Sequence, residues 1–324
     1  MKTGHTPESS NNITRPQAPS LVILAAGLAR RYGGIKPLAP VGCNGDAIID
    51  FAGRNASIAG FGKIVVIVRR AIYSTIKYHI RRCWPSSLEV AYVLQDADST
   101  LSPNQSIPLG TAHAVLMAQP YIEGPFGVVN ADDIYGTESY QLLHAALSNQ
   151  NNLSDESCHV LVGFHLSNTV ITDKPVKRAV CSVTPANYLS GISERTVLRS
   201  KNGEFLASGG EGPEHLDGNE IVSVNMWGFQ LSIFPVLERA MKLFYTQNPS
   251  SELDQSNGPV SDYAELLLPD VVSSMLKDES ETPIRVLESR DMCIGVTHPD
   301  DLELVKRRMR ELVAEGVYPE VLWR

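Results

Sequence analysis

The chain has 324 residues, 43% of them hydrophobic, enough for one large or two ordinary domains with a real core. Its 36 acidic and 28 basic residues give a net charge of -8, and with no basic run this argues against a nucleic-acid binder. Five scattered cysteines without a C-x-x-C pair argue against a disulfide framework or a structural zinc site and favour a reduced, cytoplasmic protein. No apolar run approaches the roughly 18 residues of a membrane span. Met1 to Ser20 are polar and read as a disordered tail, not a signal peptide.

In chain order, Leu21 to Leu24 predict a buried parallel strand, since a strand covered on both faces need not alternate. Ala25, Ala26 and Gly27 then make a tight turn, in which small residues let main-chain N–H groups approach an anion. Arg30, Arg31 and Lys36 follow as a cluster of cations. Ala47 to Ala59 predicts a helix ended by Gly60, Lys63 to Arg69 a strand, Ala71 to Cys83 a helix and Leu88 to Gln95 a third strand. Asp96 to Ser106 is polar and reads as a mobile loop. Thr111 to Gln119 predicts a helix, Pro125 to Val129 a strand that runs into Asn130-Ala131-Asp132-Asp133, and Thr137 to Gln150 a helix. This rhythm specifies a parallel sheet with right-handed crossovers, which binds ligands at the carboxyl ends of its strands.

The second half reads as strands at His159–Leu166, Ala179–Pro185, Tyr188–Leu198 and Glu220–Gln230, with a glycine-rich acidic loop at Ser208–Asn219 that could cover a site. Helices follow at Ile233–Gln247 and, with a proline kink, at Tyr263–Leu276, around a polar loop at Asn248–Val260. A late strand is predicted at Ile284–Glu288. Thr297 is read as the cap of a last helix, with Pro299 in its first turn and Asp300 and Asp301 at its positive end. Without a linker or repeat, residues 21–324 read as one domain in two halves, 21–150 and 151–324, with the site between them.

Three stretches carry the chemistry. The first is Leu24-Ala25-Ala26-Gly27-Leu28-Ala29-Arg30-Arg31 with Lys36-Pro37-Leu38. The second is Pro108-Leu109-Gly110-Thr111-Ala112, where a helix start offers unpaired N–H donors. The third is Asn130-Ala131-Asp132-Asp133, a carboxylate at the end of a buried strand, which suits a hard cation such as Mg²⁺.

As an ordered set these resemble the nucleotidyltransferases that make sugar nucleotides and related activated alcohols. The resemblance implies an α/β, Rossmann-like (GT-A-type) fold: a mostly parallel central sheet flanked by helices, with a smaller β-rich substrate lobe. It implies Arg31 and Lys36 as catalytic cations, Leu24, Ala25, Ala26, Gly27, Gly110 and Thr111 at the nucleotide, and Asp132 as the Mg²⁺ ligand. Gln95, on the third strand, is a candidate for reading the base edge. Asn130, Glu194, Arg195 and Asn225 are the candidates for the acceptor, with Arg195 where relatives usually carry lysine. His113 is read as structural or a substrate contact. Two departures stand out: Ala29 replaces a glycine, and Gly295 falls near a position where most relatives carry a second metal-binding aspartate, so that either Asp133, Asp291 or Asp300 substitutes for it or the substrate's phosphates hold the ion more alone. The reaction implied is transfer of a nucleoside monophosphate from a nucleoside triphosphate to a phosphorylated small molecule, a sugar 1-phosphate first, releasing pyrophosphate. A glycosyltransferase of related fold and a catalytically reduced regulatory module are the alternatives.

Overall fold

The computed structural model describes residues 18–27, 32–95, 109–149, 158–200, 202–209, 212–248, 265–278, 280–296 and 299–323. The strands are β1 (Ser20–Leu24), β2 (Lys63–Val68), β3 (Val90–Leu94), β4 (Phe126–Asn130), β5 (Asp133–Ile134), β6 (His159–His165) and β7 (Val176–Val183), then β8 (Leu189–Arg199), β9 (Phe205–Ser208), β10 (Glu214–Leu216), β11 (Ile221–Ser223), β12 (Trp227–Phe229), β13 (Ile284–Ser289) and β14 (Ile294–Gly295). The helices are α1 (Ile48–Ala59), α2 (Arg70–Cys83), α3 (Thr111–Met117), α4 (Thr137–Asn149), α5 (Ile233–Gln247), α6 (Leu268–Met275) and α7 (Leu302–Ala314).

β1 to β4 pair in parallel in the order β3-β2-β1-β4, and β12 joins β4 antiparallel. The sheet continues through β6, β11, β7, β8 and β9 to an edge at β10, with β13 parallel on β6. One sheet therefore runs through both halves of the sequence. β1 and β2 read as continuous apolar runs because both faces are covered. On one face Leu21, Ile23, Ile64 and Val66 pack with Ile49, Ala52 and Ala56 of α1, Ile72, Ile76 and Ile80 of α2, and Leu143 and Leu147 of α4. On the other, Val22, Leu24 and Ile67 pack with Ala112 and Val115 of α3, Leu237 of α5 and Val272 of α6. The connections from β1 to β3 use the first face and α3 uses the second, so the winding reverses between β1 and β4. In open α/β sheets ligands bind at such a switch point, outside the carboxyl ends of the strands, here β1 and β4. α7 closes a third apolar cluster, setting Val305, Met309 and Leu312 with Ile48 and Phe51 of α1.

Four elements differ from the sequence reading. Pro269 does not kink a helix over Tyr263–Leu276 but opens α6 in its first turn, where its missing N–H costs nothing. Residues 265–267 are not helical; Leu266 bonds to Leu109 and Ala112 through its backbone. The acidic loop Ser208–Asn219 contains β10, paired antiparallel with β9 at the sheet edge. The strand expected over Glu220–Gln230 is broken into β11 and β12 at Asn225, whose φ of 69° is left-handed. The last helix starts at Leu302 after a 3-10 turn at Pro299–Asp301. The expected loop at Asp96–Ser106, the cap at Thr297 and residues 249–260 of the polar loop lie outside the described residues.

His159, fully buried at the start of β6, accepts the Gln230 N–H through Nδ1 at 3.1 Å, while its Nε2 finds no partner among the described residues. Burial lowers its pKa from 6.5 to about 4. The unfolded chain thus binds this proton more readily, so the stability held at neutral pH is lost as pH falls from 6.5 towards 4. Urea unfolding at pH 7.5 and pH 5 should differ by about 2 kcal/mol more in the wild type than in His159→Asn, which keeps an acceptor for Gln230 but does not titrate. An equal pH dependence in both would refute the assignment.

Candidate active site

The carboxyl ends of β1 and β4 lie side by side, Leu24 opposite Asn130. Beyond β1, Ala25 continues the sheet by donating to Ile67 O at 2.8 Å, and Ala26 is buried. Arg69, at the end of β2, holds the next turn by donating Nε to Ala26 O (2.8 Å) and Nη2 to Gly27 O (3.4 Å). Among the described residues a side chain at Gly27 would meet nothing within 4 Å, so their packing does not require glycine there. The loop returns through a 3-10 turn at Lys36–Leu38, with Pro37 buried as its anchor. Lys36 Nζ then meets Asp132 Oδ2 at 2.5 Å, joining the first sequence motif to the third. Burial opposes the ammonium's charge, but the Asp132 and Asp133 carboxylates outweigh it and raise the Lys36 pKa. Arg31 lies outside the described residues.

Behind Asp132, a chain of directed hydrogen bonds fixes Asp133. The Trp227 indole N–H can only donate, and does so to Asn225 Oδ1 at 2.8 Å. Asn225 Nδ2 donates to Asn130 Oδ1 (2.8 Å), and Asn130 Nδ2 donates to Asp133 Oδ2 (2.9 Å). The polarity of both amides is set by the obligate donor at one end and suits a carboxylate acceptor at the other. The break at Asn225 brings that side chain to Asn130. Tyr135, fully buried, secures the same junction by accepting the Asn130 N–H (3.0 Å) and donating to Val224 O (2.9 Å). Burial, followed by the Asp132 charge, pushes the Asp133 pKa up, against the pull of Lys36 and Arg178. The Cys293 thiol is buried behind this pair, and burial with the Asp133 charge drives its pKa well above the ordinary range.

Asn130, Asn225, Asp132, Lys36 and the Leu24–Gly27 turn thus gather at the carboxyl ends of β1 and β4. The second motif lies beside them, at the end of β3, where Gln95 is held by its N–H bond to Val68 O. The Gln95 amide, buried, donates to Gly110 O at 2.9 Å and lies 3.3 Å from His113 Nδ1, so it braces the start of α3. Thr111 Oγ1 accepts the Leu268 N–H at 2.8 Å and the Ala112 N–H goes to Leu266 O. Gly110 has φ 97°, and a Cβ there would lie 2.4 Å from Leu266 O, so backbone from α6's leading segment makes the close approach.

Glu194 and Arg195 are separated by the pleat, since adjacent strand residues point to opposite faces. Exposed Glu194 pairs with Lys177 at 2.7 Å, and Arg195 donates to Gly209 O. Arg178 lies directly across from Arg195 in the β7–β8 register and shares its face. Half-buried, it is locked by donating to Thr169 Oγ1 (3.0 Å), Thr169 O (2.5 Å) and Lys177 O (2.8 Å), and its charge is felt at Lys36, Asp133 and Cys293. Arg178 is not among the sequence candidates, because only the antiparallel register brings it here. Arg69 is also absent from them, although a cation at the carboxyl end of a buried strand is a readable signal.

Of the other carboxylates considered, Asp300 is exposed, and Asp291 caps α4 by accepting Ser139 N–H at 2.8 Å and Ser139 Oγ at 3.0 Å. Among the described residues no three His, Cys, Asp or Glu side chains gather as a metal cluster, and no helix is long and apolar enough to cross a membrane.

Residues 21–155 match the family model of the MobA-like NTP transferase domain. No curated protein sequence matches the chain. Among solved structures it resembles the inositol-1-phosphate CTP transferase from T. maritima (TM-score 0.57, 13% identity, covering 92% of this chain and 97% of that one). It also resembles HddC from Yersinia pseudotuberculosis (TM-score 0.53, 14% identity, covering 90% and 99%). These likenesses establish the fold: a mixed α/β architecture with parallel core strands flanked by helices.

Asp291→Ala should destabilise the fold by about 1 kcal/mol through the lost cap, while leaving the affinity for inorganic tripolyphosphate in the presence of Mg²⁺ unchanged. A tenfold loss of that affinity would place Asp291 in the site.

Proposed function

Starting from residues 21–155 as the NTP transferase domain they match, we propose that the chain transfers a nucleoside monophosphate from a triphosphate to a sugar 1-phosphate. The observation that carries this reading is the Lys36–Asp132 pair, which sets a cation and a carboxylate side by side at the β1–β4 switch point. An acceptor phosphate oxygen attacks the α-phosphorus in line, the bond to the bridging oxygen breaks, and pyrophosphate leaves. Charge builds on the equatorial and leaving oxygens, so the reaction needs positioning and cations rather than a covalent nucleophile.

Lys36 and Arg31 neutralise the triphosphate, and the Leu24–Gly27 turn receives its backbone-facing side. Gln95, Gly110 and Thr111 shape the nucleotide end. Asn130, Asn225 and Arg178 stand on the acceptor side, with Glu194 and Arg195 on the hairpin that carries Arg178. Mg²⁺ would be held by Asp132 together with substrate phosphates, a donor set that suits a hard cation using one or two protein carboxylates. When bound it supplies charge neutralisation across the phosphates. The donors fit, since Asp132 is one-third exposed beside Lys36 and a second carboxylate, Asp133, is seated against Gly295. The name of one similar structure, inositol-1-phosphate CTP transferase, pairs a triphosphate with a phosphorylated alcohol and supports an acceptor of this chemical kind. A cytoplasmic site of action accords with cysteines that form no disulfide among the described residues.

Pyrophosphate release should be measured for each of the four nucleoside triphosphates with Mg²⁺ and a panel of sugar 1-phosphates and other phosphorylated alcohols. One triphosphate with a sugar 1-phosphate is expected; release only with a non-sugar phosphate corrects the acceptor, and silence across the panel overturns the reading. Lys36→Ala and Arg31→Ala should each lower turnover by about 10²-fold or more, and near-normal rates in both would remove the cations from the mechanism.

A further inference from the structure

Asp133 and Gly295 form a directly opposed pair in the two-stranded ladder of β5 and β14. Opposed residues in an antiparallel pair project to the same face with Cβ atoms about 4.5–5.5 Å apart. At Gly295 that space is already taken. A Cβ built there would lie 2.3 Å from Asp133 Oδ1 and 3.5 Å from its carboxyl carbon, too close for any side chain to share the space. Gly295 has no left-handed φ to explain its glycine. The neighbouring carboxylate explains it instead.

The carboxylate is also fixed. Its Oδ2 accepts from the Trp227–Asn225–Asn130 relay, its Oδ1 lies against Gly295, and the charge of the neighbouring Asp132 carboxylate acts on it. Five elements (β4, β5, β12, β14 and the Lys36 turn) thus support two adjacent carboxylates and one ammonium. A salt-bridging role alone would need one carboxylate, because Lys36 makes its ion pair with Asp132.

We propose that Asp133 supplies the second carboxylate facing the divalent cation, and that Gly295 is glycine because the Asp133 side chain occupies its side-chain space. The proposal rests on the metal-assisted reading above and adds to it a donor that is seated by a missing side chain elsewhere. Position 295 then acts only through position 133.

A double-mutant cycle tests this by binding rather than by turnover. The affinity of Mn²⁺, alone and with inorganic tripolyphosphate, is read by electron paramagnetic resonance for the full chain and for Asp133→Asn, Gly295→Ala and the double variant. Thermal melts establish that each is folded. Asp133→Asn should weaken Mn²⁺ about tenfold or more. Gly295→Ala, which removes no ligand, should also weaken it about tenfold by displacing the carboxylate, and the double variant should be no weaker than Asp133→Asn. Should Asp133→Asn not fold, Gly295→Ala against wild type still decides the point. Wild-type affinity in either single variant, or effects that multiply in the double, would overturn the proposal, as would a wild type that binds no Mn²⁺ with tripolyphosphate. Failure of the nucleotidyl-transfer reading appears separately, as wild-type Mn²⁺ binding without pyrophosphate release.

Discussion

The site depends on holding like charges together at the edge of a hydrophobic sheet. Asp132 and Asp133 are adjacent in sequence and sit where β4 leaves the core, so their repulsion must be met by cations and donors from elsewhere. Lys36 meets Asp132 directly, and the positive charge of Arg178 also acts on Asp133. Removing one partner of a fully buried pair costs about 3–5 kcal/mol. Here Asp132 is one-third exposed, so the cost is smaller and the pair can open to a ligand. On the proposed function, that balance lets an arriving triphosphate compete for Lys36.

The parallel strands supply the rigidity. β1 and β4 are packed on both faces, and their register brings the Lys36 loop and the carboxylates to one end. The break at Asn225 does the finer work. A continuous strand from Ile221 to Phe229 would leave β11 and β12 in uninterrupted pairing with β6; the left-handed Asn225 interrupts it and delivers an amide to Asn130. Asparagine tolerates that conformation better than most residues, so one residue provides both the bend and the hydrogen bond.

The first half of the fold is legible in the sequence because doubly covered strands read as unbroken apolar runs and small residues mark the turn after β1. The second half is less so. β10 lies in an acidic, glycine-rich stretch whose composition hides a strand, and Pro269 opens a helix that the sequence pattern would have it bend. In the site, Lys36, Asp132, Asn130 and Asn225 are legible as candidates and the structure brings them together, while Arg31 lies outside the described residues. Glu194 and Arg195 are neighbours in sequence, but the pleat of β8 turns them to opposite faces, which residue order alone does not display. Arg178 carries no local signal, because its place depends on a register between β7 and β8. Gly295 is visible in the sequence as a departure, but its meaning appears only with Asp133 across the ladder.

Under the proposed function Lys36 receives phosphate while Asp132 faces the cation, and calorimetric binding of inorganic tripolyphosphate to Lys36→Ala and Asp132→Asn separates the two roles. Without divalent cation, Lys36→Ala should bind about tenfold more weakly and Asp132→Asn more tightly than wild type, since one loses attraction and the other repulsion. With Mg²⁺ the effect of Asp132→Asn should reverse sign and become a loss. Affinities unchanged by either substitution, with and without Mg²⁺, would remove both residues from phosphate and cation binding.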